Sequence, residues 1–207
     1  MSKPATAFTG NGIAKMIPLL QSAPVWTPPR SERLNLWHGC LKQDADSIQK
    51  HGVDPSKGRA NTDFGQGFYT TTIRHQAEQW AFFRASRVKH KSPTTKPFLL
   101  RFTVRRETIA ELNSLAFVNG DYNSEDYWSF VQHCRQSPVP GIQNHLHPDS
   151  SRSGWYDMVT GPVAAFWSQR VAMDDADQFS FHTRPAVVPL NDAIQNAPRD
   201  FEMIAVT

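Results

Sequence analysis

Apolar and polar positions change their period several times along the chain, and each change marks an element. From Leu34 the run Leu-Asn-Leu-Trp-His alternates as a half-buried strand does, and residues 44–50 form a short helix that Gly52 stops. Residues 57–66 are polar and glycine-punctuated, the texture of a surface loop, whereas 68–72 are aromatic and β-branched and predict a strand. Across 74–89, Ala77, Trp80, Ala81 and Val88 fall near helical spacing. A loop rich in Lys and Pro then leads to a strand at 98–105.

The second half continues with an aromatic helix at 125–134 and a connection rich in Pro, His and Ser over 138–153. Residues 156–164 predict a buried strand interrupted at Gly161-Pro162, and 178–183 a short alternating one. Ahead of all this, 13–20 suit one short amphipathic helix that Pro24, Pro28 and Pro29 prevent from continuing. The expected organisation is an N-terminal arm or tail (1–30), a domain (31–190) and a C-terminal extension (191–207). Short strands separated by two or three helices give an α+β class, with no internal repeat.

Composition narrows the class. With 207 residues, 39% hydrophobic and 11% aromatic, the chain can bury an aromatic-rich core without disulfides or metals. No stretch approaches the roughly 20 apolar residues of a membrane span, and no basic segment followed by an apolar run opens the chain. The cysteines, Cys40 and Cys134, form no disulfide framework and have no metal-ligand spacing, which suits a reducing, cytoplasmic setting. A net charge of +3 and a pI near 9.0 favour an acidic partner mildly. The basic residues make no continuous stripe apart from Arg84, Arg87, Lys89 and Lys91 on or just after one helix.

The candidate chemistry lies in two places. GRANTDFGQGFYTTT, residues 58–72, sets glycines on either side of Gln66 before an aromatic strand, where a missing Cβ permits a tight turn or close approach to a ligand. It is neither the dinucleotide fingerprint nor a P-loop, since no Gly-Lys-Ser/Thr follows. His38 closes a strand and precedes Gly39, so its imidazole can bond a ribose hydroxyl while the glycine backbone pairs with an amide. Taken singly, each has a packing explanation: a turn entering a strand, and a core histidine. His145 and His147, with Asp149 beyond, have no third ligand at a natural spacing, so no metal is expected.

In order, the segments resemble a known family. His38-Gly39 after a strand, Asp63-Phe64-Gly65-Gln66-Gly67-Phe68-Tyr69-Thr70-Thr71 opening a second, and Gln76-Ala77-Glu78-Gln79-Trp80-Ala81 on a helix are similar to the DFGxGFY-bearing bacterial branch of the ADP-ribosyltransferases. Tyr156 to Ala164 and Asp177 to Thr183 resemble that branch's later strands. The resemblance implies a split antiparallel β-core with flanking helices around an NAD cleft. It implies that His38 holds the adenosine-side ribose, that the Gly39 backbone grips the nicotinamide amide, and that Tyr69 stacks on the nicotinamide ring. Trp80 would add a second wall, Gly67 belongs to the same binding set, and Arg59 and Asn61 lie in position to meet the phosphates or adenine.

The third catalytic position falls on Gln178, with Asp177 and then Asp175 as alternatives. Many relatives carry glutamate there; glutamine bonds a ribose hydroxyl but cannot act as a base, which disfavours polymer formation. The implied activity is cleavage of the nicotinamide–ribose bond of NAD and transfer of a single ADP-ribose to a macromolecular acceptor, protein or nucleic acid. Such relatives are commonly toxins or effectors, with a neutralising partner protein and a cytosolic site of action. An NAD glycohydrolase and a non-catalytic nucleotide- or protein-binding module are the competing readings.

Overall fold

A computed structural model describes residues 32–88, 95–118, 125–136 and 156–206. The helix expected at 13–20, the 138–153 connection and His145, His147 and Asp149 lie outside the described residues.

Strand β1 (Arg33–Leu41) carries out the alternation that its sequence predicts. It turns Leu36 and Cys40 into the core and Trp37 and Gly39 to the other face. β3 (Pro97–Arg105) pairs with it antiparallel, with His38 opposite Leu100 and Gly39 opposite Leu99. β7 (Phe201–Ala205) pairs antiparallel on the far side of β3, giving a sheet of order β1-β3-β7. A second sheet runs β2-β6-β5-β4, where β2 is Phe68–Thr70, β6 is Val171–Phe181, β5 is Met158–Phe166 and β4 is Ser114–Ala116. Its pairings are antiparallel except β4 with β5. The class is α+β, as expected.

The main core lies where the two sheets face each other. Leu36, Leu100 and Phe102 from the first meet Phe68, Met158 and Phe181 from the second. Helix α1 (Lys42–His51) supplies Ala45, and α5 (Val188–Gln195) supplies Leu190 and Ala193. Helix α2 (Arg74–Val88) covers the opposite face of the first sheet with Ala77 and Ala81. A short α3 (Arg106–Ala110) follows β3, and α4 (Glu125–Gln136) packs Tyr127, Trp128 and Val131 against Phe64 and Val159 in a second cluster.

Several boundaries differ from expectation: β1 does not close at His38 but runs on to Leu41, and β2 stops at Thr70, short of Thr72. β5 runs through Gly161-Pro162, and its ladder to β6 slips register just after Pro162, whose nitrogen has no hydrogen to donate. β6 begins at Val171, not 178, and carries the acidic run as strand. Residues 191–207 are no extension: they hold most of α5 and all of β7, and Phe201 is 2% exposed in the core. The described residues from Glu32 onward belong to one compact unit.

Candidate functional site

Among the described residues, the two sheets are joined by one bridge, at Trp37 and Thr71. Trp37 N–H donates to Thr71 O at 2.7 Å, and Thr71 N–H returns the bond at 2.9 Å. Continued one step, this antiparallel register sets His38 across from Thr70, and one step further sets Gly39 across from Tyr69. β2 instead leaves to pair with β6, Tyr69 opposite Ser180. The strands part there, and the Tyr69 carbonyl accepts from His38 Nδ1–H at 2.6 Å. Strand alternation turns the Gly39 N–H and C=O to the same edge as those of Trp37, the edge that β2 has left.

Gly39 is required on its other side as well. A Cβ there would stand 2.0 Å from Ala77 O and 2.9 Å from Ala81 N, so only glycine lets α2 lie this close to β1. Arg74, at the start of α2, places its guanidinium 5.4 Å from the Trp37 ring centroid.

His38 stacks on Phe68 with ring centroids 4.4 Å apart. Burial pulls its pKa from 6.5 down to about 4, and the bond to Tyr69 O offsets this only in part. The imidazole is therefore neutral near pH 7. Because Nδ1 carries the hydrogen, Nε2 presents a lone pair. Across the junction, Thr70 is 4% exposed and its Oγ1 is buried with no hydrogen-bond partner in the described structure. Alternation along β2 puts Thr70 on the same face as Phe68, the residue on which His38 stacks. Sequence reasoning missed Thr70, since nothing local shows that its hydroxyl is buried beside the junction without a partner.

Tyr69 points to the opposite face of β2, where its ring packs against the second cluster. Its hydroxyl donates to Gly65 O at 2.7 Å and accepts from Phe64 N–H at 3.0 Å and Thr62 Oγ1 at 2.8 Å. Burial holds the phenol well above its ordinary pKa. The ring is thus fixed and uncharged.

The loop before β2 is closed by glycine contact: a Cβ on Gly58 would lie 2.1 Å from Gly67 O. The Gln66 amide donates to Ser56 O at 2.7 Å and Gly58 O at 3.0 Å. A Cβ on Gly67 would meet His182 Nδ1 and Phe181 O, each at 2.8 Å, so the contacts of Gly67 are to β6. Arg59 and Asn61 lie exposed on the outside of this loop.

Gln178 is 7% exposed, and its amide nitrogen donates to Asp63 Oδ2 and to Pro162 O, both at 2.8 Å. Both amide hydrogens are engaged, which leaves Oε1 to accept. Asp63, 4% exposed, also accepts from Ala164 N–H at 2.9 Å and from Arg135 Nε at 2.9 Å. This carboxylate ties the loop to β5, β6 and α4. It went unnoticed in the sequence because the motif draws attention to its glycines.

Asp177 accepts from Thr72 N–H at 2.9 Å and from the hydroxyls of Thr71 and Thr72. Its backbone bonds the Gln76 amide, Nε2 to Asp177 O at 2.8 Å. It fastens β6 to the start of α2. Asp175 is exposed at φ 52°. Asp157, outside the site, clamps Asn113 N–H at 3.1 Å and the Thr183 hydroxyl.

Trp80 is 52% exposed, beside the Ala81 on which Gly39 packs. The junction thus gathers His38, Gly39 and Tyr69, with Thr70 added and Trp80 on the helix that covers β1. Two surface hollows of about 650 and 600 Å³ lie elsewhere, one along β7 and one between Leu115 and Phe130. Among the described residues no group of three His, Cys, Asp or Glu is placed to hold a metal, and no helix is long and apolar enough to cross a membrane.

A family model described as "Protein of unknown function (DUF3990)" matches residues 34–179. The match takes in His38, Tyr69 and Gln178 and stops before β7. A search of curated proteins gives no match to the chain.

Proposed function

We propose that this chain, which belongs to the DUF3990 family, binds NAD where β1 and β2 part and transfers a single ADP-ribose to a macromolecular acceptor. The observation that carries the reading is the split itself. Two residues past Trp37 in the Trp37–Thr71 bridge, it leaves the Gly39 donor and acceptor on an open strand edge, with a neutral imidazole and a fixed tyrosine beside it.

The residues fit the ligand. A carboxamide offers one acceptor and a donor group, the complement of the Gly39 N–H and C=O, much as an added strand would bond there. His38 Nε2 accepts from a ribose hydroxyl, and Thr70 Oγ1 gains the partner it lacks. When bound, NAD supplies an ADP-ribosyl group attached to a good leaving group, nicotinamide. Tyr69 contributes a flat apolar wall whose position costs nothing to fix at the moment of reaction, since three hydrogen bonds already hold its hydroxyl. Trp80, 52% exposed on the outer side of α2, adds no second wall to the cleft. Gln178 Oε1 accepts a hydroxyl hydrogen and moves no proton, so the acceptor loses its proton to another group and a single transfer is favoured over chain growth. Arg59, Asn61 and Gly67 form the loop nearest the phosphates. No metal is required.

The acceptor is a protein side chain or a nucleic acid, and the setting is the cytosol, as for a toxin or effector held in check by a neutralising protein. A second reading, nucleotide binding without transfer, is favoured by one observation: the Gln178 amide is held by Asp63 and Pro162. Incubating the full chain with isotope-labelled NAD in a cell lysate, alongside His38→Ala, separates these. Nicotinamide release with label on a macromolecule, both lost in the variant, supports transfer; release without attached label means a glycohydrolase. Absence of release refutes the enzyme.

A further inference from the structure

Helix α2 buries only alanines, Ala77 and Ala81, and sends its large rings outward. Trp80, Phe82 and Phe83 are 52%, 45% and 48% exposed, where a surface helix ordinarily carries polar side chains. Trp80, Phe83 and Arg87 follow at helical spacing along one stripe. The Trp80 and Phe83 rings are 5.4 Å apart, tilted by 33°, and the Arg87 guanidinium lies 5.4 Å from the Phe83 centroid.

The charges of this helix lean one way. Glu78, its only acid, is paired with Arg74 at 2.8 Å, and Arg84 reaches Asp44 at 3.0 Å. Arg87 has no carboxylate partner among the described residues, so the C-terminal half of the stripe is positive. Two exposed rings beside an uncommitted guanidinium match unstacked bases with a phosphate next to them. A duplex, whose bases already stack on each other, has no free faces to give.

We infer that the outward face of α2 binds single-stranded nucleic acid, with Trp80 and Phe83 stacking on bases and Arg87 meeting the backbone. This stands apart from the NAD reading, because Phe83 and Arg87 take no part in the cleft.

The test is fluorescence anisotropy of a labelled oligodeoxythymidylate of about fifteen nucleotides, a length that covers known single-strand site sizes. The full chain is titrated between about 50 and 200 mM salt, with an equally long duplex in parallel. Phe83→Ala is expected to weaken binding roughly tenfold or more. Arg87→Gln should lower the salt slope by about one, and the duplex should bind at least about tenfold more weakly. Circular dichroism establishes that both variants are folded, and if Phe83→Ala is not, Arg87→Gln alone decides. The inference is overturned by no binding at the lowest salt, by equal binding of wild type and variants, or by equal affinity for the duplex. Self-association through the aromatic face without oligonucleotide binding, the mark of a protein-docking surface, overturns it too.

Discussion

Replacing Asp63 by Asn alters one atom of a hub and tests how the candidate third residue is held. Oδ1 takes the Arg135 Nε and terminal nitrogens, while Oδ2 takes Ala164 N–H and Gln178 Nε2. Asparagine keeps one oxygen and turns an NH2 toward two donors on the other side. Hydrogen bonds to a charged group contribute about 1.5–3 kcal/mol each, and breaking a buried ion pair costs about 3–5 kcal/mol. The Arg135 side chain is 26% exposed and can regain some water, which puts the loss near the lower end, about 3 kcal/mol. For a domain of this size that lowers Tm by about 6–12 °C. Urea unfolding followed by circular dichroism should show a lower midpoint at unchanged slope. Asp63→Asn and Gln178→Leu should be non-additive by more than about 0.5 kcal/mol. A loss under about 1 kcal/mol, or simple additivity, would refute the hub.

Gly39→Ala drives a methyl into the Ala77 carbonyl at 2.0 Å. It should cost at least the 1–3 kcal/mol usual for overpacking, about the upper figure or more, because backbone and not a flexible side chain must move; unchanged urea stability would contradict the close approach. Thr70→Val removes an unpartnered buried hydroxyl, so it should raise stability without NAD by about 1 kcal/mol and yet weaken NAD binding. Thermal shifts with and without NAD would show opposite signs, and a destabilised variant would mean the hydroxyl has a partner. His38 and His182 are both lowered from 6.5 to about 4 by burial, so the unfolded chain takes up protons that the folded one refuses. Their contribution is complete above pH 6.5 and is lost as pH falls toward 4. Asp54 and Asp200, lowered below 3.8, lose theirs only at still lower pH. Urea midpoints that stay level from pH 6.5 to 4 would count against buried neutral imidazoles.

Much of this fold is legible because local pattern and packing agree. β1 and β3 have periods that match their buried faces, and Gly52, at φ 82°, ends α1 as its sequence predicts. β6 is hidden by its acids, which look like a turn until Thr71 and Thr72 are seen to bond Asp177 and Asp175 to take a positive φ. β7 is five residues long and pairs with a strand about a hundred residues earlier, a contact no local pattern encodes. Trp80 falls among the apolar positions of α2, but Gly39 brings β1 so near that only Ala77 and Ala81 fit between, and the indole is left outside. His38, Gly39 and Tyr69 could be singled out by motif. Thr70 and Asp63 could not, since one depends on burial beside the junction and the other on three distant partners.

The most direct measurement is a titration of the isotope-labelled full chain with NAD, followed by amide chemical shifts. If β1 and β2 part to receive NAD, the Gly39 amide and its neighbours His38 and Thr70 shift saturably, and the same titration of Gly39→Ala does not reproduce them. No saturable shift at the junction, or shifts confined to the hollow along β7, would contradict the assignment of this split as the NAD site.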